Sequence, residues 1–126
     1  MHQRNYLIAD DVDDAKITRM RTTIECADPY ARIHIARSVR DAMALIDTVE
    51  FDAAAIDFDF LGEPETGADI IAAVRSRNAE AATALVTARD GESYEEASAH
   101  AKSAGADETF TSKAEFESGL RLTLAA

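Results

Sequence analysis

Basic residues are scarce in this chain: 13 Lys and Arg stand against 24 Asp and Glu, a formal charge of -11 over 126 residues. That balance repels phosphate backbones and anionic lipid surfaces and favours cations or basic protein surfaces, so neither direct nucleic-acid binding nor a membrane partner is expected. A lone Cys26 excludes an internal disulfide; beside Ile24 it suits a small buried hydrophobe at least as well as a reactive thiol, and it is given no role. Long apolar runs are missing too. The stretch Tyr6-Leu7-Ile8-Ala9 is too short for a signal-peptide core or a bilayer span and runs straight into acid, which leads us to expect a soluble, cytoplasmic protein. No Gly-rich run ending in Gly-Lys-Ser/Thr offers a P-loop. No repeat, low-complexity tract or Pro/Gly-rich linker divides the chain, so one domain over residues 1–126 is expected.

What is present is an alternation of strand and helix signals. Short apolar runs at Tyr6 to Ala9, Ala53 to Ile56 and Ala84 to Val86, with the alternating segments around Ile33/Ile35 and Phe110, make five strand candidates. Between and after them lie helical patterns: Ile17, Met20 and Ile24; Ala42, Leu45, Ile46 and Val49; Ile70, Ile71 and Val74; Tyr94, Ala97 and Ala101; Phe116, Leu120 and Leu124. Four carry a start signal of Ser or Thr with an acid three residues on: Ser38/Asp41, Thr66/Asp69, Ser93/Glu96 and Ser112/Glu115. Strict alternation implies α/β class, a parallel sheet with helices on both faces. The continuous apolar strands belong in the centre and the alternating ones at the edges. This matches a flavodoxin-like (βα)5 three-layer sandwich of strand order 2-1-3-4-5, which binds ligands at the carboxyl ends near the first and third strands.

Those carboxyl ends are acidic. The first strand runs into Asp10-Asp11 and the third ends Ile56-Asp57-Phe58-Asp59; with adjacent strands about 4.8 Å apart, Asp10, Asp11 and Asp57 meet in one cleft. Carboxylates so close need raised pKa values or a bound cation, and Mg²⁺, which takes carboxylate oxygens and bridges to phosphoryl groups, resolves the conflict. Asp13 or Asp14 alone reads as a turn former or helix cap. The three histidines, His2, His34 and His100, fall on separate elements and read as surface residues.

Over essentially its whole length the chain resembles a response-regulator receiver domain. The matching segments are Leu7-Ile8-Ala9-Asp10-Asp11, Phe51-Asp52-Ala53-Ala54-Ala55-Ile56-Asp57, Leu85-Val86-Thr87-Ala88-Arg89 and Ala104-Gly105-Ala106-Asp107. The resemblance implies a stand-alone phospho-accepting domain of a two-component system. Asp57 is then the phosphoacceptor; Mg²⁺, with Mn²⁺ as the alternative ion, is held by Asp10, Asp11, Asp57 and the backbone carbonyl of Asp59. Thr87 and Lys113 contact phosphoryl oxygens, and Thr87 and Phe110 form the switch. The implied partners are a sensor histidine kinase or phosphotransfer protein and an unknown protein target. Such a domain is not an enzyme beyond its own phosphorylation and dephosphorylation, and no output domain is expected after the last helix.

The chain departs from the family pattern in the loop after Asp57, in the last strand, and at Ala114, which stands where the family has a Pro after its Lys. Pro64 and Gly67 stand seven and ten residues after Asp57, where the family has four and eight, so this loop is longer. Counting from Gly105-Ala106 puts Thr109 at the switch-aromatic position and Ser112 at the Lys position; one inserted residue before the last strand restores Phe110 and Lys113 instead. With that insertion, Lys113 should point toward Asp57 and Phe110 toward the fourth helix. The alternatives are a receiver-like module that binds without phosphorylation, and a haloacid-dehalogenase-type phosphatase using Asp57 and Asp59.

Overall fold

The computed structural model describes residues 3–125. Its elements alternate along the chain as β1 (Asn5–Ala9), α1 (Asp14–Ala27), β2 (Arg32–Ala36), α2 (Val39–Thr48), β3 (Ala53–Ile56), α3 (Gly67–Arg77), β4 (Ala82–Thr87), α4 (Gly91–Ser103), β5 (Glu108–Thr111) and α5 (Glu117–Leu124). All strand pairs are parallel, in the order β2-β1-β3-β4-β5. Because β1, β3 and β4 are covered on both faces, nearly all of their residues are buried, whereas β2 and β5 present the half-exposed pattern of edges.

Each face of the sheet carries its own core. Leu7, Ala54, Ile56 and Leu85 pack against Ile46, Ile70, Ile71, Val74, Ala97 and Ala101 of α2, α3 and α4. Ile8, Ala53, Ala55, Ala84 and Val86 pack on the other side against Ile17, Met20, Ile24, Leu120 and Leu124 of α1 and α5. Successive strand residues serve opposite faces, as the two-residue period requires. Small alanines through β3 let the helices sit close to the sheet.

Local signals explain some helix starts and fail at others. Ser38 caps α2 by accepting from the Asp41 N–H, and Thr66 with Asp69 forms a full capping box at α3. Ser93 lies inside α4, which begins at Gly91 after Asp90, and Ser112 lies ahead of α5, which begins at Glu117. The expected caps at Ser93 and Ser112 are therefore corrected: the tertiary path of each β–α turn starts one helix earlier and the other later than the local pattern. Cys26 is exposed rather than buried, because on α1 it stands two residues, more than half a turn, beyond the buried Ile24. His34 is half-buried, set edge-on to the Phe51 ring with centroids 5.3 Å apart, and His100 is exposed; His2 lies outside the described residues. Among the described residues no helix is long and apolar enough to cross a membrane.

Candidate functional site

β1 and β3 are hydrogen-bonded neighbours, and their carboxyl ends deliver the acids to one place. The Asp57 N–H donates to the Ala9 carbonyl at 2.8 Å, which locks the end of β3 beside Asp10. Asp10, Asp11 and Asp57 each present a carboxylate oxygen within 4.8 Å of the others; Asp10 and Asp57 are buried and Asp11 is half-buried. Hard oxygen donors at that separation fit a divalent cation of the Mg²⁺ or Ca²⁺ type. A cavity opens beside them, lined by Asp11, Asp57, Asp59, Leu61 and Ala88 among others.

Lys16 bridges two of these three acids, Asp10 and Asp57. Within the first turn of α1, its stem follows the helix back toward the N-terminus and its Nζ reaches Asp10 Oδ2 at 2.7 Å, Asp57 Oδ1 at 3.3 Å and the Val86 carbonyl at 2.9 Å. It is only 3 % exposed. Lys16 is not among the residues expected at the site, although it carries a sequence signal: it stands four residues before Met20, on the apolar stripe of α1, where an unpaired charge does not belong. Burial and, on the same side, the Asp10 charge push the Asp57 carboxyl up to about 6, against the opposing pull of Lys16 and of the Phe58 N–H, which donates to Asp57 Oδ1 at 2.8 Å.

Thr87 ends β4 fully buried, its Oγ1 accepting from the Arg89 N–H at 3.2 Å. Asp59 and Arg89 form a two-pronged ion pair at 2.7 and 2.8 Å across the mouth of the cleft, and the guanidinium lies over the Phe58 ring. The longer loop after Asp57 folds back on its neighbours. Its Leu61 N–H donates to Asp11 Oδ2 at 2.7 Å, and Glu63 caps the first turn of α2 through the Val39 N–H at 2.9 Å.

The last strand does not contain the insertion expected from the sequence. Thr109, not Phe110, faces α4: its Oγ1 lies 2.8 Å from the Tyr94 hydroxyl and 2.6 Å from Ser98 Oγ. Phe110 turns to the other face, packs with the α1/α5 core and lies against Gly119 of α5. Lys113 is not brought to Asp57; its Nζ is 3.4 Å from Asp90 Oδ2 on the surface, and the side chain is 59 % exposed. Plain counting therefore holds, with Thr109 and Ser112 at the two positions. The cause is pairing: Thr111 stands opposite Thr87 in register, and a one-residue slip would have reversed every side chain of β5.

Five parallel strands in this flavodoxin-like order, with acids at the carboxyl ends of β1 and β3, match the arrangement of solved response-regulator receiver domains. No family model and no curated protein sequence matches the chain, but solved structures do. A response regulator receiver domain protein (CheY-like) from Methanospirillum hungatei superposes with a TM-score of 0.76 at 20% identity, covering 96% of this chain and 90% of that one. The signal receiver domain of a DNA-binding response regulator from Colwellia psychrerythraea is 25% identical, with a TM-score of 0.72 and coverage of 95% and 94%. A response regulator from Burkholderia pseudomallei, solved with a phosphorylated aspartic acid, calcium ion and citrate, gives 0.77 at 20% identity; the match covers 97% of this chain and 66% of that chain. The fold of this protein is the CheY-like receiver fold.

Proposed function

We propose that the chain is a phospho-accepting signalling domain of a two-component system, in which Asp57 takes a phosphoryl group from the phosphohistidine of a sensor kinase or phosphotransfer protein. The observation that carries this reading is the buried Asp57 carboxylate at the end of a central strand, grouped with Asp10 and Asp11 and contacted by an ammonium. The phosphorylated aspartic acid and calcium of the Burkholderia relative support it.

In the transfer, an Asp57 oxygen bonds to phosphorus as the donor's P–N bond breaks; the imidazole nitrogen keeps the electron pair and nothing is oxidised or reduced. A carboxylate approaching an anionic phosphoryl group meets repulsion, and the side chains around it work by position and charge. Asp10, Asp11, Asp57 and the Asp59 carbonyl are the groups that would hold Mg²⁺ or Mn²⁺. When bound, the ion supplies charge neutralisation on the phosphoryl oxygens. The Thr87 hydroxyl, held at the end of β4, is the donor for one of those oxygens, and the acyl phosphate changes which protein target the domain binds. In this reading the domain is a single unit over residues 1–126, acts in the cytoplasm, and catalyses only its own phosphorylation and dephosphorylation. The Asp59 carboxylate is engaged by Arg89 on both oxygens, which weighs against its service as the acid-base group of a phosphatase.

Asp57→Asn is expected to abolish base-labile phosphoryl incorporation from a small phosphodonor, read by intact-protein mass. Equal incorporation in the variant removes the assignment.

A further inference from the structure

The β5–α5 edge, where the receiver pattern has a cation, holds Ser112, whose N–H donates to the Thr87 carbonyl at 2.8 Å and whose side chain is uncharged. The neighbouring cations are committed elsewhere: Lys113 to Asp90, Arg89 to Asp59, and Arg19 to Glu117. Among the described residues, Lys16 alone makes an ion pair with Asp57. We propose that Lys16 is the cation that meets the transferred phosphoryl group, carried to the site by α1 instead of by the β5–α5 edge. The proposal rests on the reading of Asp57 as phosphoacceptor.

Two features support the role. The ammonium touches the reacting carboxylate itself, at 3.3 Å from Asp57 Oδ1. Its two other anchors, Asp10 Oδ2 at 2.7 Å and the Val86 carbonyl at 2.9 Å, are shorter and belong to groups that do not react. When Asp57 Oδ1 or its partner oxygen becomes part of the acyl phosphate, Lys16 can exchange that one contact for a phosphoryl oxygen and keep the other two. The cation is thus preorganised for charge that arrives during transfer, which is the arrangement that stabilises a transition state most. A second consequence follows from sharing. Asp10 is both the anchor of Lys16 and a candidate ligand of the divalent ion, so the ammonium and the ion draw on the same carboxylate.

A purely structural Lys16, present only to neutralise two buried acids, is separable from this role by experiment. The full chain is titrated with Mg²⁺ by calorimetry, and its phosphorylation by phosphoramidate is followed by intact-protein mass. The set comprises the parent, Lys16→Gln, Lys113→Ala and Lys16→Gln/Ser112→Lys. Glutamine keeps a donor for the Val86 carbonyl and loses the charge. The expected result for Lys16→Gln is incorporation slower by on the order of tenfold or more, with Mg²⁺ held at least as tightly as in the parent. Restoring a cation through Ser112→Lys should recover most of that loss, and Lys113→Ala should match the parent. Incorporation at the parent's rate in Lys16→Gln overturns the proposal; so does loss of Mg²⁺ binding along with incorporation, or an equal loss in Lys113→Ala. A parent that takes no phosphoryl group on Asp57 is a different result, and overturns the phosphoacceptor reading beneath it.

Discussion

A buried charge survives only where its partners replace the water it has lost, and α1 carries one such cation beside a second that stays in contact with solvent. Lys16 is enclosed and bound by three oxygens, whereas Arg19, three residues on, lies at the surface and joins α1 to α5. Arg19 Nε is 2.7 Å from Glu117 Oε2, and its guanidinium lies 4.4 Å from the centroid of the Phe116 ring. The Arg19 hydrogen bond holds the Glu117 carboxyl at about 2, below its ordinary 4.5. A depressed carboxyl stabilises the folded state above its unfolded pKa and loses that contribution as pH falls through the folded one. The pair is about 40% exposed, so solvent screening keeps it to the few tenths to about 1 kcal/mol of surface pairs. Relative to Glu117→Gln, the parent should keep a constant advantage in denaturant midpoint above about pH 5, see it shrink below 4.5 and lose it near 2. An advantage unchanged at pH 2 sinks the assignment.

At the scale of elements, periodicity made all five strands and five helices legible, along with the edge and central places in the sheet. Burial on both faces leaves a continuous apolar run that reads directly. The acid pair and Asp57 were legible for the same reason, since each directly follows such a run. Lys113 and Phe110 were misread because β5 is an edge of mixed composition, Thr109-Phe110-Thr111, whose alternation does not say which face is which. Only its register against β4 decides. The lengthened loop after Asp57 also had a readable signal in Gly67. A Cβ there would lie 1.8 Å from the Asp57 carbonyl oxygen, a backbone atom that cannot swing aside, while the Gly67 N–H donates to the Phe58 carbonyl at 2.9 Å. Glycine thus lets α3 start directly against the end of β3 in spite of the longer loop. Gly67→Ala should cost about 1–3 kcal/mol if α3 shifts away from β3 and more if it cannot; where the end of β3 gives way instead, Asp57 is displaced and phosphorylation falls as well. A variant as stable and as readily phosphorylated as the parent would show that this close approach is dispensable.

For the whole molecule, six of the 24 acids, Asp10, Asp11, Asp13, Asp14, Asp57 and Asp59, stand at the carboxyl end of the sheet around the candidate site. Lys16 offsets part of that charge, and burial with the Asp10 charge still keeps the Asp57 carboxyl up near 6, so the site is a place where folding works against electrostatics. A divalent ion bound only by the folded chain relieves this and adds stability by mass action, about 2.7 kcal/mol at 100 times its dissociation constant. For a domain of this size that corresponds to a rise in Tm on the order of 10 °C. Two effects must be separated, because a chain of charge -11 gains stability from any salt that screens its self-repulsion. Interactions between exposed charges more than about 8 Å apart are largely screened at 0.15 M, so melting curves in 0.15 M KCl suppress the general part and leave mainly the site-specific one. Under that condition Mg²⁺ should still raise Tm in the parent, saturating with concentration, and the rise should be largely lost in Asp11→Ala, which removes one oxygen donor without touching the core. A rise that does not saturate, or one of equal size in Asp11→Ala, would identify the effect as general screening and remove the three-carboxylate site as its cause.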